Sequence, residues 1–127
     1  MPIFESPLSA CLVVLALWLG LGICGVIRPD NLRLIARVLF PLSAVCGAAL
    51  ALIAAASIAS PAESVTLVIG LPDLPIHARL DALSGVFLFL LGAATTGISV
   101  FAAGYFRKGE GTAPGLLCLQ YHLFLAA

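Results

Sequence analysis

The sequence predicts an all-α integral membrane protein, and three observations predict it. Three stretches, 8–27, 38–60 and 82–106, run 20, 23 and 25 residues without one Asp, Glu, Lys or Arg. Roughly 20 apolar residues, rising about 1.5 Å each, cross a bilayer core about 30 Å thick. Hydrophobic residues make up 62% of the chain and charged ones 9%, against roughly 25% charged in ordinary soluble domains. All twelve charged residues therefore fall in the tails and loops, which is where a bilayer tolerates them.

The first span opens with Ser6-Pro7, a side-chain cap followed by proline at the first helical position, where a missing N–H costs nothing. The tail before it carries Glu5 and no base. A secretory signal needs a basic start and a short apolar core, so this span is expected to remain as a helix. Trp18, in mid-span, is expected to pack on a neighbouring helix.

The second span is expected over 38–60. Asp30 can cap a helical turn starting near Asn31, and Arg33 and Arg37, one turn apart, can snorkel toward anionic headgroups. Pro41 should kink the helix or mark its true start. Ala44, Ala48, Ala51, Ala55 and Ala59, with Gly47, form a run of small residues. Such runs let helix backbones approach closely in lipid.

Between the second and third spans, residues 64–69 are rich in β-branched side chains and 70–73 carry turn chemistry. Residues 76–81 alternate apolar and polar. Either a short external β-hairpin lying on the helix ends or an extended loop without regular pairing fits this pattern.

Asp81 precedes the third span and can accept its first free N–H groups. Within the span, Gly92, Ala93, Thr96 and Gly97, then Ala103 and Gly104, offer further small-residue contacts. Thr112 or Ala113 before Pro114 repeats the capping pattern for a fourth helix over 115–127. At about 1.5 Å per residue that segment is too short to cross a bilayer. It is read as an incomplete fourth span, making residues 1–127 the N-terminal transmembrane segment of a longer protein. A short terminal or re-entrant helix is the alternative.

Orientation follows from the bases. Arg28, Arg33, Arg37, Arg107 and Lys108 share one side and Arg79 alone lies on the other. Basic loops stay cytoplasmic, so the N-terminus is expected on the periplasmic side of a bacterial inner membrane crossed several times.

Chemistry is sparse. Net charge is zero, whereas phosphate backbones are bound by basic surfaces, so no nucleic-acid partner is expected. Cys11, Cys24, Cys46 and Cys118 lack the clustered spacing of metal or iron–sulfur ligands and are expected to pack as small apolar residues. No phosphate loop, nucleophile–base pair or carboxylate pair is present, so catalytic, cofactor-binding and metal-binding residues are all expected to be none. His122 stands apart. It can titrate near neutrality in a relay, or sit neutral and hydrogen-bonded to an adjacent helix. His77, in the outer loop, is expected to be merely solvated.

Three stretches carry a resemblance. Arg79-Leu80-Asp81-Ala82-Leu83-Ser84-Gly85 opens the third helix, Gly104-Tyr105-Phe106 closes it, and Tyr121-His122-Leu123-Phe124-Leu125-Ala126 lies in the fourth. Together they resemble the antiporter-like membrane subunits: hydrogenase-4 component B, the large pumping subunits of complex I and the Mrp antiporters. The specific likeness covers about 79–127, and residues 1–60 agree only in topology. Phe106 stands where the family often has methionine, and His122 where it often has a small amide. The resemblance implies a proton-translocating subunit of a hydrogenase-4 or NADH:quinone oxidoreductase-type complex, with redox centres in other subunits and no cofactor of its own. It implies as partners the lipid bilayer and other membrane subunits of that complex. The family's proton-carrying lysines and glutamate lie in later helices, so this segment would serve as helix scaffold. A small membrane assembly or anchor protein without transport activity, or a piece of an unrelated transporter, are the alternatives.

Overall fold

The computed structural model describes residues 6–71, 74–106 and 113–127. Four helices and one hairpin follow in order: α1 (Pro7–Ile27), α2 (Leu32–Ser57), β1 (Glu63–Leu71), β2 (Leu74–Leu80), α3 (Ala82–Tyr105) and α4 (Pro114–Ala126). α1, α2 and α3, of 21, 26 and 24 residues, are long and apolar enough to cross a membrane, and the 13-residue α4 is shorter. Leu52, Ile27, Phe87, Phe101 and Phe124 are among the large side chains that these helices turn outward.

Ser6 caps α1 as expected, its hydroxyl accepting from the Ser9 N–H at 3.2 Å. A second cap comes from far along the chain: the Glu63 carboxylate accepts from the Leu8 N–H at 3.2 Å. An acid there complements the partial positive charge of a helix start. It also ties β1 to α1.

α2 begins six residues before the charge-free stretch that marks it in the sequence. Its cap is Asn31, not Asp30: the Asn31 side chain accepts from the Leu34 N–H at 3.1 Å. Pro41 marks the start of the regular α-helical part, Phe40–Ser57, and the helix reaches back through it to Leu32. The preceding residues Ile35–Leu39 widen into a π-turn, with the Phe40 N–H donating to the Ile35 carbonyl. A proline ring clashes with the carbonyl four residues back. A wider turn before it provides room without ending the helix.

The hairpin forms, and it is longer than the expected strands. Pairing runs antiparallel from Glu63↔Leu80 to Leu67↔Ile76, shifts at a bulge between Leu67 and Gly70, and ends at Leu71↔Leu74. The 72–73 turn lies outside the described residues. Period-two alternation sets the inward face: Leu80 is buried and packs with Leu8 and Cys11, beside half-buried Val65 and Ala78. Ser64, Thr66, His77 and Arg79 face outward. His77 does more than sit in solvent, since its Nδ1 lies 3.0 Å from Thr66 Oγ1 across the strands.

Two helix pairs build the bundle. α2 and α3 share the broadest contact, followed by α1 and α4. Between α2 and α3, a methyl group added at Gly92 would fall 2.6 Å from the Gly47 carbonyl and 2.7 Å from the Ala51 nitrogen. One added at Gly85 would fall 3.0 Å from Ser57 Oγ and 3.3 Å from the Ala54 carbonyl. The contact face of α2 is thus Ala44, Gly47, Ala51, Ala54 and Ser57. Ala48, Ala55 and Ala59 of the expected stripe are exposed, as are Ala93, Gly97 and Gly104 on α3. Ala48 and Ala55 each stand one residue past Gly47 and Ala54, about 100° further round the helix, and so turn away from α3. Between α1 and α4, Gly22 and Gly25 face His122 and Cys118, and Gly115 lies against the backbone of Gly25 and Pro29.

Candidate functional site: a buried polar cluster

Polar side chains inside an apolar bundle need partners, because water is not there to replace them. Five are almost wholly enclosed here: Ser43, Ser57, Thr95, Ser99 and His122. Ser57 satisfies itself by donating to the Ala54 carbonyl at 2.7 Å.

Tyr121 links α4 to α3. Its hydroxyl lies 3.0 Å from Ser99 Oγ and 3.3 Å from the Thr95 carbonyl. A carbonyl only accepts, so the tyrosine proton goes to Thr95 and the Ser99 hydroxyl donates to the tyrosine oxygen. Thr95 and Ser99 stand four residues apart on one face of α3, which is what lets one phenol reach both.

His122 is fully buried, and its Nδ1 lies 2.7 Å from the Cys118 carbonyl. It bonds to its own helix one turn back, not to an adjacent helix as expected. That carbonyl fixes the proton on Nδ1, leaving Nε2 of a neutral ring as an acceptor. Phe40 of α2 covers the ring at 6.2 Å between centroids, and Tyr121 meets it edge-on at 5.2 Å. Among the described residues, His122 Nε2, Ser43 Oγ, Thr95 Oγ1 and Trp18 Nε1 are buried without a hydrogen-bond partner. Trp18 itself is fully enclosed against neighbouring helices, as its mid-span position suggested.

This arrangement orders helices more than it performs chemistry. One imidazole, three hydroxyls and a phenol can pass hydrogen bonds, but the helices bring no carboxylate, lysine or arginine to them. No group of three His, Cys, Asp or Glu side chains that could hold a metal occurs among the described residues. The four cysteines are free thiols, with Cys11 and Cys118 buried, Cys46 half-buried and Cys24 exposed.

At the far end of α3, Asp81 caps the helix, its Oδ1 accepting from both the N–H and the hydroxyl of Ser84 at 2.9 Å. These bonds, the backbone one foremost, hold its carboxyl below the usual range, with a smaller contribution from the Arg79 guanidinium. Arg79 Nε stands 3.9 Å away in an exposed pair. Of the two residues expected to cap α4, Ala113 takes the cap position before Pro114 but offers no side-chain bond, and Thr112 lies outside the described residues.

Sequence reading singled out His122 and Asp81 but missed Ser43, Thr95 and Ser99. The Thr95/Ser99 spacing was the available signal. Ser43 had none, because its burial depends on which helices meet. Comparison of the chain with protein-family models, curated proteins and solved structures gives no match.

Proposed function

We propose that this chain is helix scaffold in an antiporter-like, proton-translocating membrane subunit of a hydrogenase-4 or NADH:quinone oxidoreductase-type complex. One observation carries the scaffold reading. Over 8–27, 38–60 and 82–106 the three long helices hold no Asp, Glu, Lys, Arg or His, yet they close on one another at glycine contacts. Moving a proton through hydrocarbon requires titratable groups at depth. Helices without them can shape a path and brace it. The family part of the reading rests on the residues around Asp81, Tyr105 and Tyr121. The proposed setting is a bacterial inner membrane with the N-terminus periplasmic and other membrane subunits as neighbours.

The test has two arms. The chain reconstituted alone into liposomes loaded with a pH-sensitive dye should leave an imposed proton gradient as long-lived as in empty vesicles. Deleting its coding region should prevent assembly of an ion-pumping oxidoreductase on native gels. A chain that collapses the gradient by itself overturns the scaffold reading. Assembly and pumping that continue without it overturn the assignment to such a complex.

A further inference from the structure

We propose that the cleft between the start of α2 and the end of α3 is a binding site for the headgroup of an anionic phospholipid. The cleft holds about 270 Å³ and is lined by Leu32, Arg33, Ala36, Arg37, Ala103 and Phe106. Two exposed guanidiniums stand at its edge, and among the described residues no carboxylate lies within ion-pair distance of either. Guanidinium groups bind phosphate oxygens in pairs, and their charge does not titrate away.

The adjoining cleft makes the choice of site sharper. It is larger, about 640 Å³, but Asp30 lines it together with Arg28 and Arg33. An anion there meets a carboxylate, whereas in the smaller cleft it meets two arginines and apolar walls.

Those walls decide between a lipid and a free phosphate. Ala103 and Phe106 follow Val100 at three-residue spacing, and Val100 is a large apolar side chain that α3 turns outward. A phosphodiester held by Arg33 and Arg37 therefore has acyl chains in register with lipid-facing surface, and a hydrated phosphate ion gains nothing from it. The π-turn at Ile35–Leu39 carries Arg37, and Arg33 stands two residues before it, so the site is built on the one irregular turn of that helix.

The experiment is titration of the detergent-purified chain with phosphatidylglycerol, followed by native mass spectrometry, with phosphatidylcholine and inorganic phosphate as comparators. One phosphatidylglycerol should bind preferentially over phosphatidylcholine, and millimolar phosphate should not displace it. Each arginine near a membrane surface is worth about fivefold in affinity, so R33Q/R37Q should weaken binding by about 25-fold, and R79Q, at the opposite end, should not. Ala103→Phe, which fills the cleft without removing charge, should weaken it too. Circular dichroism checks that each variant is folded. Undiminished binding in both R33Q/R37Q and Ala103→Phe overturns the site. Equal loss in R79Q reduces it to general charge attraction and overturns it, and displacement by phosphate overturns the lipid as its occupant.

Discussion

At the residue scale, Asp81 and His122 show how one side chain serves a membrane helix from outside and from within. Asp81 works as an anion: two Ser84 donors stabilise its charged form and lower its carboxyl pKa. Its contribution to stability is therefore complete above the ordinary aspartate pKa of about 3.9 and is lost as pH falls through the lowered folded value. Thermal melts in detergent from pH 7 downward should show an acid limb that flattens in Asp81→Asn, which keeps an acceptor but does not titrate. An unchanged limb would assign the acid sensitivity to a group other than Asp81. His122, by contrast, is held inside the bundle by its own helix. In the complex proposed above, His122→Asn should keep proton pumping within about twofold, whereas loss of a proton-transferring group costs about a hundredfold or more.

At the element scale, glycine contacts set the distances between helices. Gly92→Leu should destabilise the α2–α3 pair, because its side chain would enter the Gly47 and Ala51 backbone. Overpacking of this kind costs about 1–3 kcal/mol, readable as a lower unfolding midpoint. Gly97→Ala, which meets nothing within 4 Å, should be neutral or stabilising by up to about 1 kcal/mol. The spans themselves were legible because hydrocarbon excludes charge, which makes length without charge a direct readout. The start of α2 was not legible that way. Arg33 and Arg37 are helical and exposed, and side chains long enough to reach water let a helix continue past the last uncharged residue. The hairpin was legible from alternation, but the bulge at Leu67/Gly70 was not, since register depends on the opposing strand. The polar cluster was half legible. Tyr121 and His122 are visible in any reading, while their partners are fixed by packing between helices far apart in sequence.

At the scale of the whole molecule, the hairpin and the Pro29–Asn31 turn mark opposite ends of the bundle. Leu80 and Glu63 lie with the start of α1, and Pro29 follows its end. Single cysteines placed at Ser64 and at Asp30, in a chain whose four native thiols are replaced, should label from opposite faces of sealed vesicles. Ser64→Cys should react from the periplasmic face and Asp30→Cys from the cytoplasmic one. Labelling of both from one face would contradict an odd number of crossings between them, and exchanged faces would reverse the orientation set by the arginines.

The pairing of α1 with α4 has a consequence in time. α2 and α3 are joined through the hairpin and can meet as soon as both are made. The glycine face of α1, with Gly22 and Gly25, is completed only by Cys118 and His122 of α4. All of α2, the hairpin and α3 is synthesised in between, an interval on the order of ten seconds at about 5–20 residues per second. During it α1 stands in the bilayer with its closest contact face uncovered. Its early companion must be lipid, the insertion machinery or the side of α2, and α4 then displaces whatever has held that place.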